Sequence, residues 1–308
     1  MTEHANAVME ALRKVTGFRK VTEADSITRL GGLTNLVHRV DVGADSLIVR
    51  IPGEGTEAYI DRAVEIHNAK AAARAGVSPE VIYAEDESGL MISETVPNIE
   101  TMTPDLFKTR LGSPGRAGKA LAKLHTSGEV FEFRFELFAM IEDYLKVLST
   151  KDVRLPDGYH ALVAAAAPIK EVLRAADTPL APCHCDPLCE NFLDDGKIMW
   201  IVDWEYSGMN DPLWDLGDLS VEAGMDAAQD AEMMTAYFGR APTPAEMGRM
   251  VIYKAMCDLL WTLWGLIQVA DKNPAEDFWA YSIGRFERCK ALMEAPDFEG
   301  HLDAVKHG

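Results

Sequence analysis

The chain has 308 residues, 48% of them hydrophobic and 26% charged, the composition of a globular protein with room for one large domain or two moderate ones. Its formal net charge of −19 argues against a nucleic-acid or anionic-membrane partner, either of which favours a basic face, and is compatible with a cationic substrate. No uninterrupted apolar run approaches the ~20 residues of a membrane span, and the opening MTEHANAVMEALRKV lacks a signal-peptide core, so a cytoplasmic location is expected.

Residues 3–15 read as a short amphipathic helix. Two β-like runs, 26–30 and 36–40, flank Gly31-Gly32-Leu33-Thr34-Asn35, and a third, 46–50, follows a turn at Gly43. A glycine turn between antiparallel strands lets backbone N–H groups approach phosphates closely, although most such turns merely connect strands. Residues 56–75 read as a helix stopped by Gly76 and Pro79. Glu65 lies on it, either as a partner of Arg50 on the neighbouring strand or as part of a solvated face. Short strands are expected at 81–84 and 90–95, the second broken by Pro97. After about residue 104 helices dominate, at 115–127, 136–150, 158–176, 212–223, 226–238, 244–270 and 275–293. No G-x-G-x-x-G joins a strand to a helix, and residues 112–120 lack both the spacing and the Ser/Thr of a P-loop. The expectation is an α+β chain: a small sheet lobe over 1–97, a larger helical lobe over 98–308, and a cleft between them.

The helical half is interrupted by HCDPLCENFLDDGKIMWIVDWEYSGMNDPLW, from His184 to Trp214. It holds two acidic centres, Asp186 and Asp203, with Asn191 between them. Apolar runs at 192–193 and 198–202 flank Asp194-Asp195-Gly196-Lys197, which has hairpin-turn chemistry. A hairpin there brings Asn191 and Asp203 to one open end, where oxygen ligands suit Mg²⁺. A further free aspartate nearby can orient a hydroxyl nucleophile, which completes the set that phosphoryl transfer requires. Cys183, Cys185 and Cys189 crowd beside His184, yet no matching CxxC occurs elsewhere, and buried thiols fit better than zinc. His184 reads as a brace of the loop rather than a proton carrier, and His125, Trp204 and Trp214 as packing residues. Asp215 and Asp218 either cap the following helix or tie down the loop.

His184-Cys-Asp186-Pro-Leu-Cys-Glu-Asn191, followed by Ile201-Val-Asp203-Trp-Glu205-Tyr, resembles the paired motifs of the aminoglycoside phosphotransferase and choline kinase superfamily. Supporting segments are Leu30-Gly-Gly-Leu-Thr-Asn35, Val49-Arg-Ile-Pro-Gly-Glu-Gly-Thr56, Tyr59-Ile-Asp-Arg62 and Leu260-Trp-Thr-Leu-Trp-Gly-Leu-Ile-Gln268. With these, the chain most resembles the choline/ethanolamine kinases, over residues 25–290. The resemblance implies a bilobal protein-kinase-like fold. It implies that Asp186 accepts or orients the substrate hydroxyl proton, and that Asn191 and Asp203 hold Mg²⁺ against the phosphates of ATP. Arg50 would stand where protein kinases carry a lysine, positioned by Glu65. Gly31, Gly32, Leu33, Thr34 and Asn35 would cover the phosphates, and the backbone from Glu94 to Val96 would meet adenine.

For the acceptor, the resemblance implies an aromatic box for a quaternary ammonium, with Trp261 and Trp264 on one helix face, Tyr281 beside them and Glu222 adding negative charge. Without the resemblance, two tryptophans in so apolar a helix read as core. One departure stands out: shortly after Glu222, where eukaryotic members have a tyrosine, this chain reads Ala-Gly-Met-Asp-Ala. A wall of the box is therefore missing or comes from elsewhere. The expected activity is an ATP- and Mg²⁺-dependent kinase of choline or a related amino-alcohol such as ethanolamine, with no nucleic-acid partner and no membrane insertion. Alternatives are an aminoglycoside or other small-molecule phosphotransferase and, in another class, a nucleotide-binding pseudokinase scaffold, which the presence of Asp186, Asn191 and Asp203 disfavours.

Overall fold

The computed structural model describes residues 3–31, 35–53 and 60–308. Gly32, Leu33, Thr34, Glu54, Gly55, Thr56 and Tyr59 of the motifs above, and residues 56–59 of the helix expected over 56–75, lie outside the described residues. The N-terminal lobe is built on a five-stranded antiparallel sheet in the order β1-β2-β3-β5-β4. Its strands are β1 (Ser26–Arg29), β2 (Asn35–Val42), β3 (Asp45–Pro52), β4 (Val81–Glu85) and β5 (Leu90–Glu94). Alternation along β2, β3 and β5 sends Val40, Leu47, Val49, Leu90 and Ile92 into a small core. Helix α1 (Glu3–Leu12) closes it with Val8, Met9, Ala11 and Leu12. The same alternation puts Arg50 on the opposite face from Val49, paired across the sheet with Val37 and Met91. Helix α2 spans Arg62–Arg74, and of the expected helix Ile60 and Asp61 precede its first turn. The reason is local: the Asp61 side chain caps it by accepting the N–H groups of Ala63 and Val64.

The C-terminal lobe is mainly helical. It opens with β6 (Glu100–Thr101), α3 (Pro104–Thr109), α4 (Ser113–His125), α5 (Leu137–Ser149), α6 (Tyr159–Ala165) and α7 (Ala167–Ala175). The helix expected over 158–176 is thus two helices, because Pro168 lacks the N–H that would continue the first turn ladder. Four short strands follow: β7 (Ala181–Cys183), β8 (Phe192–Asp194), β9 (Met199–Ile201) and β10 (Gly208–Asn210). The lobe is completed by α8 (Leu213–Ala223), α9 (Ala227–Phe238), α10 (Pro244–Ala270), α11 (Phe278–Met293) and α12 (Phe298–His307).

Helix α10 is the axis of the lobe, packed by α5, α8, α11 and α12. Thr243 and Glu246 form a capping box at its start, with Pro244 in the first turn. By length and composition it qualifies as a membrane span, a property missed by counting uninterrupted apolar runs. Most of that apolar surface is buried inside the protein, as in the core helix of a globular lobe.

Candidate active site

The β8–β9 hairpin has the expected turn: Asp195 Oδ1 accepts the N–H groups of Lys197 and Ile198, and Gly196 takes φ +87°. At the open end Val202 N–H donates to the Asn191 carbonyl at 3.0 Å, which sets Asn191 beside the residue preceding Asp203. Two non-glycine residues here adopt left-handed backbone, Cys185 at φ +67° and Asp203 at φ +69°. Such conformations persist only where neighbours impose them, and Asp215 is the neighbour at the first. Fully buried on α8, it accepts the N–H groups of His184 (2.7 Å) and Cys185 (2.8 Å), and His125 Nε2 lies 3.0 Å from the same carboxylate. Trp214 Nε1 donates to the Cys185 carbonyl at 3.0 Å. Asp215 therefore ties down the loop.

His184 joins the two acidic segments of the site, the loop of Asp186 and the chain leading into Asp203. Its Nδ1 faces the Asp186 N–H at 3.3 Å and its Nε2 lies 2.9 Å from the Val202 carbonyl, partners that assign the neutral Nε2–H tautomer. Burial lowers its pKa and favours the same neutral form. Asn191 Nδ2 donates to the Asp186 carbonyl at 3.1 Å, which leaves its Oδ1 for another partner. All five cysteines are free and buried. Among the described residues, the cysteine that shares a possible ligand cluster is Cys183, with His125 and Asp215, but Asp215 is already engaged by the loop.

On the sheet side, Arg50 gathers three carboxylates. It forms an ion pair through Nη1 with Glu65, while Nη2 lies 2.7 Å from Glu205 and 3.5 Å from Asp203. Glu205 also receives Arg62 Nη1 at 2.7 Å and Asn35 Nδ2 at 2.9 Å, and Arg62 reaches Glu65 at 2.7 Å. Glu65 and Glu205 are thus neutralised by two guanidiniums, whereas Asp203 keeps one long contact and a side chain 36% exposed. Partial burial and the neighbouring Glu205 and Glu65 carboxylates hold the Asp203 carboxyl above the usual carboxylate range, against the pull of Arg50. A carboxylate held this way gains from an added cation, and the oxygen donors of Asp203 and Asn191 are of the hard type that fits Mg²⁺. Asn35 belongs to the first turn of pairing in β2 and is buried, so it bridges to Glu205 rather than sitting in a loop. Gly31, shortly after β1, is exposed. Glu94 ends β5 with its N–H on the Glu80 carbonyl at 3.0 Å, and Val96 follows, half-buried.

On the helical side lie the other expected residues. Trp261 and Trp264 of α10 pack edge-on at 6.4 Å, and Tyr281 of α11 lies 5.8 Å from Trp264. Glu222 of α8 meets Arg285 of α11 at 2.6 Å. Arg285 also reaches Asp258 at 3.2 Å and stacks over the Tyr281 ring at 4.4 Å. Sequence reasoning missed Arg285, although it stands one turn after Tyr281 on the same helix face.

It also missed Tyr206, which sits inside the quoted Asp203-Trp-Glu-Tyr stretch. The Tyr206 ring lies 5.5 Å from Trp261, and its hydroxyl accepts from Trp264 Nε1 at 3.0 Å. After Glu222 the chain cannot offer a ring: Gly224 ends α8 at φ +57°, and Asp226 caps α9. Asp186 stands between the two halves of the site. Burial, then the charges of Glu222 and Asp203, push its carboxyl up to about 8.

A small antiparallel-sheet lobe facing a helical lobe, with Asp186, Asn191 and Asp203 on one braced loop and hairpin, defines a phosphotransferase of protein-kinase-like architecture. Comparison with known proteins agrees. The phosphotransferase enzyme family matches residues 26–250. The crystal structure of a choline/ethanolamine kinase family protein from Mesorhizobium loti is 59% identical, covers 98% of this chain and 99% of its own, and superposes with a TM-score of 0.90. The choline kinase LicA from Streptococcus pneumoniae is 25% identical over 95% of this chain and 100% of its own, with a TM-score of 0.77. Protein LicA of Haemophilus influenzae is 25% identical over 86% of this chain and 79% of its own length. The chain belongs to the choline/ethanolamine kinase family within the phosphotransferase enzyme family, and is a kinase that acts on an alcohol group of a small molecule.

Proposed function

We propose that the chain transfers the γ-phosphate of ATP, with Mg²⁺, to the hydroxyl of a small amino-alcohol, choline or ethanolamine. The observation that carries this reading is that the stretch after Asp203 meets Arg50 through Glu205 at 2.7 Å on one side and Trp264 through Tyr206 at 3.0 Å on the other, with Asp186 and Asn191 tied beside it. A hydroxyl held at Asp186 thus lies between a cation-accepting cluster and a phosphate-accepting one. In the transfer, the Asp186 carboxylate accepts the hydroxyl hydrogen bond and aligns the oxygen. As the new O–P bond forms, the proton passes to Asp186 and ADP leaves. An alcohol of high pKa in a loose transition state needs alignment more than full deprotonation.

Asn191 Oδ1 and Asp203 are the groups that would hold Mg²⁺, which when bound neutralises phosphate charge. Arg50, kept in place by Glu65 and Glu205, offers its guanidinium fork to phosphate oxygens. Gly31 lies on the side of the phosphates, and the backbone of Glu94 and Val96 meets the base. The amine is received by Trp261, Trp264 and Tyr281 with Glu222 nearby. Tyr206 supplies the wall that the sequence after Glu222 lacks. Purified protein should consume ATP when given Mg²⁺ with choline or ethanolamine, and Asp186→Asn should abolish this while retaining the wild-type fold and nucleotide binding. Equal turnover by that variant sinks the role of Asp186.

A further inference from the structure

Asp218 has no part in the mechanism above, yet its surroundings are those of a recognition group. It lies on α8 one helical turn before Glu222, on the same face, and is fully buried at 0% exposure. Its Oδ2 accepts the indole N–H of Trp261 at 3.3 Å, which fixes the carboxylate to the wall of the aromatic cluster. Its Oδ1 is buried and has no hydrogen-bond partner among the described residues. Leaving such an oxygen without a donor costs about 1–3 kcal/mol, and more when it is charged.

The cation beside it, Arg285, is engaged with Glu222 at 2.6 Å, with Asp258 at 3.2 Å and with the Tyr281 ring. Burial, then the like charges of Glu222 and Asp186, hold the Asp218 carboxyl well above the usual carboxylate range. What the position lacks is a donor that also carries positive charge.

We infer that Asp218 is a specificity-determining residue, whose Oδ1 accepts a hydrogen bond from an ammonium N–H of the acceptor, so that the site favours amines bearing an N–H over quaternary ones. The inference rests on the amino-alcohol kinase reading and deepens it. Ring faces attract a quaternary ammonium as well as a protonated amine, so the aromatic cluster alone does not separate them. Oδ1 does: three methyl groups against it supply no proton and keep water away. A site built around a hydrogen bond discriminates strongly against an analogue that lacks it.

The test is kcat/KM for ethanolamine, its N-methyl and N,N-dimethyl derivatives and choline, at saturating Mg–ATP. The expected series falls at least about tenfold at the last methylation, where the final N–H is lost, and changes less at the earlier ones. In Asp218→Asn the Trp261 indole retains the amide oxygen, which turns an NH₂ toward the ammonium. The ethanolamine-to-choline ratio should then shrink at least about tenfold. Wild-type preference for choline, a flat methylation series, or an unchanged ratio in the variant overturns the assignment to Asp218 and leaves the amino-alcohol kinase standing. Turnover of none of the amines by the wild type removes both. Should the variant fail to fold, the wild-type series decides alone.

Discussion

At Asp186 the protein keeps a carboxylate whose ionisation its surroundings resist. An unfolded aspartate titrates near about 3.9, whereas burial and the charges of Glu222 and Asp203 push the folded one up to about 8. Between those values the folded chain holds a proton that the unfolded chain has released, so stability falls as pH rises across the window. In the absence of nucleotide and Mg²⁺, Asp186→Asn should therefore melt higher than the wild type. The gap should widen from about pH 5 to about pH 8.5, and a gap that stays constant would contradict the raised pKa. The same variant should lose at least about 10²-fold in kcat if Asp186 acts as proposed. Tyr206 invites a second substitution at this scale. Tyr206→Leu removes one ring face worth about 0.5–2 kcal/mol, so the KM for the amine should rise about 2- to 30-fold with the KM for ATP unchanged. A shift in the nucleotide KM instead would place the ring on the other side of the site.

Among the elements, the β8–β9 hairpin does more than carry Asn191 and Asp203, because the chain leaving it presents Glu205 to the N-terminal sheet. That side chain is 5% exposed and holds Arg50, Arg62 and Asn35. Removing one member of a buried ion cluster typically costs about 3–5 kcal/mol. Glu205→Gln should lose stability on that scale in urea or thermal melts, and a loss below about 1 kcal/mol would mark the cluster as solvent-screened. The hairpin itself was legible in the sequence, since Asp194-Asp195-Gly196-Lys197 is local turn chemistry, and so were most helices and the five main strands, through periodicity and caps. Glu205 was not legible as a tie, because its partners lie 155, 143 and 170 residues away and no local pattern marks them. Tyr206 and Asp218 escaped for the same reason. Each takes its meaning from Trp261 or Trp264, on a helix that the chain reaches only after α9. The motif named the right stretch without saying which of its side chains meet across space.

For the whole molecule, a net charge of −19 acts oppositely on the two proposed substrates. A cationic amine is drawn toward the surface and an anionic nucleotide is repelled, and both effects are screened by salt. Raising ionic strength from about 10 mM to about 150 mM should lower kcat/KM for the amine while leaving that for Mg–ATP unchanged or higher. A fall of equal size for both would show that the global field is not what salt acts on.

The arginines of the N-terminal lobe rest on a carboxylate of the C-terminal lobe, which makes the junction behave like a fixed ion-exchange resin. In the role proposed for Arg50, an entering polyanion takes it from Glu205 in part, and the tethered anion reclaims it when the polyanion departs. The grip on nucleotide is then a difference between two ion pairs rather than the full strength of one. A kinase that must release its spent nucleotide on every cycle is served by that moderation, and Glu205 sets its degree.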